Sequence, residues 1–259
     1  MRTRGVASWS SRSREGFRER SLRSDPSRLF HVKHPPETAT TIFGENLTAA
    51  VRFTELLAAV GVERGLIGPR EVDRLWDRHI LNSAVVAEAI PEGARVVDLG
   101  SGAGLPGVPL AIARPDLDVI LLEPMARRVA WLTEVVDTLA LSASVVRGRA
   151  EEPAIKQQLA GADVVIARAV APLARLWAWS APLLRQGGRL VALKGESADE
   201  EVVRDGSAVT RASGSLPVVE KCGAGVLAVP TTIVVVTRVG QQQKSGRKPR
   251  RAGKHAQRP

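Results

Sequence analysis

Apolar and polar positions divide the chain into three kinds of stretch. Residues 1–36 are rich in Arg and Ser, carry Pro26, Pro35 and Pro36, and show no apolar periodicity, which predicts disorder. Residues 45–60 place Leu47, Ala50, Val51, Phe53, Thr54, Leu57 and Ala58 on one side of an amphipathic helix, which Gly61, Gly65 and Gly68 end. Pro69 opens a second helix predicted to run to about residue 90, with Val72, Leu75, Trp76, His79, Ile80 and Ser83 on one face. From Ala94 the pattern changes to short β-branched runs alternating with helical periods, the mark of a parallel sheet with crossover helices. Strands are predicted at 95–99, 119–122, 144–147, 163–167 and 189–194, with helices at 106–113, 125–140, 151–159, 172–185 and 198–205. Two last runs, 216–221 and 231–238, flank a loop with Gly223, Gly225 and Pro230 and predict an antiparallel closing pair. The expected fold class is α/β: a Rossmann-like, seven-stranded, mostly parallel sheet with an antiparallel final strand, preceded by N-terminal helices. The expected organisation is a basic extension over 1–41, helices over 42–93 packed on the core, an α/β core over 94–239, and a basic, disordered tail over 240–259.

Composition narrows the chemistry. Apolar residues make up 44% of the 259 positions, enough for a substantial core, but aromatics reach only 3% and tyrosine is absent, so that core is built from Val, Leu and Ala. Cys222, the single cysteine, is expected in the core; an internal disulfide is impossible and a zinc cluster is not expected. No run of about 18 apolar residues predicts a membrane span, and the basic N-terminus lacks the apolar centre of a secretion signal, so a cytoplasmic chain is expected. A start codon set too far upstream would also produce such an N-terminal stretch. The net charge of +10 is uneven: residues 1–34 carry +6, residues 238–259 carry +8 without one acid, and the middle is mildly acidic. Basic ends on an acidic body point to a polyanionic partner, nucleic acid first, with simple solubilisation as the alternative.

The segment from Val96 to Gly107 carries the most chemistry. A strand end at Asp98 is followed by Gly100, Gly102 and Gly104 and then by a helix start, the entry unit of a nucleotide-binding α/β domain. The glycines allow positive φ within a tight turn and let a ligand lie against the backbone. Their spacing also fits a dinucleotide fingerprint. The expectation that separates the ligands is electrostatic: Asp98, read as standing at the mouth of the cradle, would repel a pyrophosphate and attract the sulfonium and ammonium of S-adenosyl-L-methionine. On that reading Asp98→Ala abolishes cofactor binding and leaves the fold intact.

Ligands of a doubly wound sheet lie beyond the carboxyl ends of its strands. The strand ends here supply Asp98 and the glycines, Glu123 placed to bind the ribose hydroxyls, Ala150 and Glu151 beside an adenine, Arg168, and Lys194. Arg168 suits the methionine carboxylate or an RNA phosphate, with an ion pair to Asp163 as the plain structural alternative. Lys194 is an RNA-phosphate candidate. His79 is either a packed, hydrogen-bonded side chain or a substrate contact, and Trp76 is expected in the core. No metal-binding cluster is apparent.

Five segments taken together, Asp98-Leu-Gly-Ser-Gly-Ala-Gly-Leu-Pro-Gly107, Arg78-His-Ile-Leu-Asn-Ser83, Arg147-Gly-Arg-Ala-Glu151, Ala167-Arg-Ala169 and Ala192-Leu-Lys-Gly195, closely resemble the bacterial ribosomal small subunit methyltransferase G family, also known as glucose-inhibited division protein B. The resemblance covers roughly residues 42–238. It implies a class I S-adenosylmethionine-dependent methyltransferase fold and methyl transfer to N7 of one guanine in small-subunit (16S) ribosomal RNA, with that RNA or a ribosomal particle as partner. By motif position it implies cofactor contacts at Gly100, Leu105, Ala150, Glu151 and Arg168; Gly102, Gly104 and Glu123 complete the expected cofactor set, and Arg78, His79 and Lys194 the RNA set. Glu123 stands where relatives often have aspartate. Guanine N7 carries a free lone pair and no proton, so this chemistry needs no general base; Arg168 and Lys194 are positioning candidates, and no residue is expected to act as a nucleophile. After the fourth strand, Arg168-Ala-Val-Ala-Pro172 replaces the Asn/Asp-Pro-Pro-aromatic motif of exocyclic amine methylation. An NAD(P)-linked oxidoreductase and an RNA-binding module with a vestigial pocket are the competing readings.

Overall fold

The computed structural model describes residues 34–168 and 171–240. The predicted disorder over 1–33 and 241–259 lies outside the described residues. Helix α1 (Glu37–Phe43) starts inside the stretch expected to be extension, directly after Pro35 and Pro36, and buries Ala39 and Phe43. Helix α2 (Leu47–Val60) buries Phe53, Leu57 and Ala58 as its periodicity predicts. The predicted second helix is four shorter pieces: a 3-10 turn (Pro69–Arg74), a π-helical turn (Leu75–Ile80), one α-helical turn, α3 (Leu81–Ala84), and a 3-10 turn (Val85–Ala89). Together they still bury the predicted apolar face, with Trp76 in the core.

The α/β core then alternates as expected: β1 (Arg95–Leu99), α4 (Gly107–Ala113), β2 (Asp118–Glu123), α5 (Ala126–Leu139), β3 (Ala143–Arg147), α6 (Pro153–Leu159), β4 (Ala162–Arg168), α7 (Leu173–Ser180), β5 (Leu184–Leu193), α8 (Ala198–Arg211), β6 (Val218–Cys222) and β7 (Thr231–Thr237). Helix α7 stops at Ser180, short of the predicted 185, because Leu184 already pairs with Ala162 as the start of β5. Helix α8 runs to Arg211 rather than 205.

The strand order is β3-β2-β1-β4-β5-β7-β6. The first five strands pair in parallel, and β7 is antiparallel to both β5 and β6. Central strands are buried on both faces and so are apolar along most of their length, with charged residues at or near their ends, whereas the edge strands β3 and β6 are half open to solvent. Side chains alternate across β1: Val96 joins the core built with the N-terminal helices, α4 and α5, while Val97 and Leu99 join the core under α6, α7 and α8. The chain reverses direction across the sheet between β1 and β4, and a crevice opens at their carboxyl ends, where such folds hold ligands.

Candidate functional site

The turn after β1 forms one wall of the crevice. Gly100, Gly102 and Gly104 have φ of 77°, 56° and 98°, values that only glycine adopts without strain. The Gly100 and Ser101 amides donate to Leu122 O at 2.9 and 3.1 Å, and Trp131 Nε1 donates to Ala103 O at 3.0 Å, so strand and helix neighbours fix the turn. The cleft in front of it measures about 690 Å³ and is lined by the turn from Gly100 to Ala103, Leu105, Glu123, Arg128, Arg149 and Arg168, with Glu71 and His79 on the N-terminal side. The cleft thus gathers Gly100, Gly102, Leu105, Glu123, Arg168 and His79 of the residues expected at the site and adds Glu71 and Arg128; Gly104 is buried, and Arg78 and Lys194 line a different groove.

Asp98 is not at the mouth of this cleft, which corrects the sequence-based expectation. It shares the Val96 side of the sheet, beneath the start of α4, and is fully buried. Its Oδ2 accepts the Gly107 amide at 3.1 Å, and its Oδ1 is buried with no hydrogen-bond partner among the described residues. Burial pushes its carboxyl up to about 7 despite the Gly107 amide, with Glu123 adding repulsion. The physical reason is strand alternation: Asp98 stands one residue short of the strand end, on the Val96 side, and points into the sheet–helix layer, while Leu99 after it faces the other side. Asp98 therefore braces the turn from behind and does not line the cleft.

The acid beside the glycine turn is Glu123, at the end of β2. Its Oε2 accepts the Gly102 amide at 3.0 Å, its Oε1 accepts the Met125 amide at 2.9 Å, and Arg128 lies 3.9 Å away. Beside it a narrow pocket of about 130 Å³ runs between Leu99 and Gly100 on one side and Gly148, Ala150, Glu151 and Trp179 on the other. Trp179, from α7, is a wall that the sequence pattern did not single out; its place at the pocket follows only from how α7 packs on the sheet.

Arg168 closes the opposite end. It makes no ion pair with Asp163, which instead binds Arg185 at 2.6 Å and the Arg95 amide at 2.8 Å. Arg168 Nη2 donates to His79 Nδ1 at 2.7 Å and to Arg78 O at 3.0 Å, and His79 Nε2 meets Glu71 Oε2 at 2.5 Å. Burial, then the Arg168 charge, lowers the proton affinity of His79, and the hydrogen bond from His79 lowers that of Glu71. His79 is thus a packed, hydrogen-bonded side chain. Lys194 is tied inward: its Nζ pairs with Glu201 at 2.8 Å and donates to Ala171 O at 3.1 Å. Glu201 also accepts the Leu173 amide at the start of α7, so Lys194 lies within a network joining β5, α7 and α8. Lys194 and Arg78 both line a second, broader groove of about 960 Å³ bounded by the loop before β7. Cys222 is buried, its thiol pushed up to about 11 by burial. Among the described residues no cluster of His, Cys, Asp and Glu could hold a metal, and no helix is long and apolar enough to cross a membrane.

Comparison with known proteins finds relatives along most of the chain. The family model described as rRNA small subunit methyltransferase G matches residues 46–229. A ribosomal RNA small subunit methyltransferase G of Corynebacterium jeikeium is 53% identical over 208 residues, covering 80% of this chain and 94% of its own length. One of Mycobacterium marinum is 54% identical over 220 residues, covering 84% and 96%. Among solved structures, Aeropyrum pernix fibrillarin with bound S-adenosyl-L-methionine superposes with a TM-score of 0.47 at 20% identity, covering 61% of this chain and 74% of that one. With the family match spanning helix α2, the glycine turn and the ends of β1 to β5, the chain belongs to the ribosomal RNA small subunit methyltransferase G family.

Proposed function

We propose that this protein transfers a methyl group from S-adenosyl-L-methionine to N7 of a guanine in small-subunit (16S) ribosomal RNA, acting in the cytoplasm on that RNA or on a ribosomal particle. The observation that carries this reading is kinship: more than half of the aligned residues are identical to small subunit methyltransferases over nearly their whole length.

The cleft fits the donor. The turn from Gly100 to Leu105 gives a backbone-lined cradle in which Gly100 and Gly102 face the cleft without a Cβ, room for the methionyl part, while Gly104 packs inward against Val108. Glu123, a buried carboxylate facing the cleft, can exchange its Gly102 amide partner for ribose hydroxyls. The pocket between Leu99, Ala150, Glu151 and Trp179 suits a flat base. Arg168 offers a guanidinium to the donor carboxylate or to an RNA phosphate. When bound, the donor supplies a sulfonium methyl: the N7 lone pair forms the new C–N bond as the C–S bond breaks, leaving S-adenosylhomocysteine and a cationic N7-methylguanine. No proton moves, so the chain's residues need only bind, orient and exclude water. Holding the two reactants in line contributes on the order of 7–11 kcal/mol. Arg78, exposed at the broader groove, is the residue we assign to RNA contact; Lys194 and His79 act from behind by ordering the groove and Arg168.

Isothermal calorimetry with S-adenosylhomocysteine and with NAD tests the assignment. Binding of the first and not the second is expected. Binding of NAD, or of neither, overturns it.

A further inference from the structure

Three side chains from separate elements meet in a row at the edge of the cleft: Glu71 from the Pro69–Arg74 turn, His79 from the Leu75–Ile80 turn and Arg168 from the end of β4. The distances are 2.5 Å from Glu71 Oε2 to His79 Nε2 and 2.7 Å from His79 Nδ1 to Arg168 Nη2. A guanidinium only donates, so Nδ1 must accept. The ring proton of neutral His79 is then on Nε2, where Glu71 accepts it. Arg168 Nη2 spends its other hydrogen on Arg78 O at 3.0 Å. The guanidinium is thereby held in one orientation by a ring whose tautomer is itself held by a carboxylate.

We propose that Glu71 and His79 are positioning residues: they fix Arg168 toward the anion it binds in the cleft, and protonation of His79 releases it. This rests on reading the cleft as the methyltransferase site. A doubly protonated ring would turn an N–H against the Arg168 N–H, and the contact becomes repulsive. The charged groups facing the ring are Arg168 from β4, Glu71 from the preceding turn and Arg78 beside it. Two of the three are cations, and the ring is largely buried, so the neutral form prevails at neutral pH. Methyl transfer should then fall on the acid side as His79 gains its second proton, below the ordinary imidazole value of about 6.5.

Two measurements test this. Nitrogen-15 NMR of His79 should show the Nε2–H tautomer at neutral pH, and Arg168→Gln should raise its midpoint, by roughly one pH unit. An Nδ1–H tautomer, or a midpoint that Arg168→Gln does not move, overturns the proposal whatever the protein's activity. In the second measurement, methyl transfer to small-subunit particles lacking the modification is followed against pH. His79→Asn, whose Oδ1 can still accept from Arg168 but cannot protonate, should retain transfer and lose the acid limb. His79→Ala should lose transfer at every pH. Glu71→Gln should move the limb to lower pH, because the ring loses the carboxylate that favours its charge. An acid limb unchanged in His79→Asn sinks the positioning role alone; a wild-type protein that binds no S-adenosylhomocysteine sinks the reading of the cleft, and the NMR titration still decides the contact.

Discussion

A carboxylate sealed behind a turn is a stability element with its own pH dependence. For Asp98, burial raises the carboxyl from 3.8 to about 7 in the folded chain, so the native state binds its proton more tightly than the unfolded state does. The stability it contributes is complete below about pH 4 and is lost as pH rises toward 7, by at most about 1.4 kcal/mol per pH unit. Asp98→Asn keeps an acceptor for the Gly107 amide and removes the charge. Its stability relative to wild type should therefore grow from pH 5 to pH 8, read as a difference in melting temperature; a constant difference would show that Asp98 does not titrate in this range. Asp98→Ala leaves the buried Gly107 amide without its acceptor and should cost about 1–3 kcal/mol, so a lowered melting temperature is the expected phenotype. Glu123 is the residue whose loss should act on the ligand. Glu123→Ala should weaken S-adenosylhomocysteine binding roughly 10- to 100-fold by calorimetry, the worth of one or two hydrogen bonds to a charged acceptor. Unchanged affinity would remove it from the ribose site. Residue identity was legible at both positions, and so was the place of Glu123 at the cleft, but the depth of Asp98 was not: it pairs with Leu121 inside the sheet, while Glu123 lies on the same face two residues further on, at the end of β2.

At the scale of elements, the glycine turn gives the sharpest contrast. A Cβ at Gly107 would collide with Leu121 and lie 2.5 Å from Asp98 Oδ2, both held by the surrounding core. A Cβ at Gly102 would meet nothing closer than 3.7 Å, and the cost there is only that of φ at +56°. Gly107→Ala should therefore destabilise the chain more than Gly102→Ala in urea unfolding, by about 1–3 kcal/mol for the overpacking. Equal losses would mean that the α4 start is not packed against Asp98 as described. The parallel strands were legible because burial on both faces writes them as β-branched runs, such as Val119 to Leu122. The 69–90 helix was legible as an apolar face and not as a backbone: its 3-10 and π turns keep Val72, Trp76 and Ile80 inward while changing the hydrogen-bond step, which periodicity does not record. That irregularity is what brings Glu71 to His79, so the row ending at Arg168 had no signature along the chain. Helix α1 was missed because ETATT after two prolines has weak helix propensity; Ala39 and Phe43 are ordered by packing against the core.

For the whole molecule, charge is arranged by segment. The stretch 238–259 holds eight basic residues and no acid. Removing 241–259 should weaken RNA binding and flatten its dependence on salt, since fewer counterions are released from phosphates. An identical salt slope would show that the tail makes no phosphate contact. S-adenosylhomocysteine affinity should be untouched by the same truncation, because the cleft and the pocket beside it are built from residues between Leu66 and Trp179. The central claim concerns the product, and the most direct measurement is a map of N7-methylguanine along the small-subunit RNA of cells with and without this protein. One N7-methylguanine should vanish in its absence and return with the wild-type chain, but not with Glu123→Ala. An unchanged map would contradict the assignment.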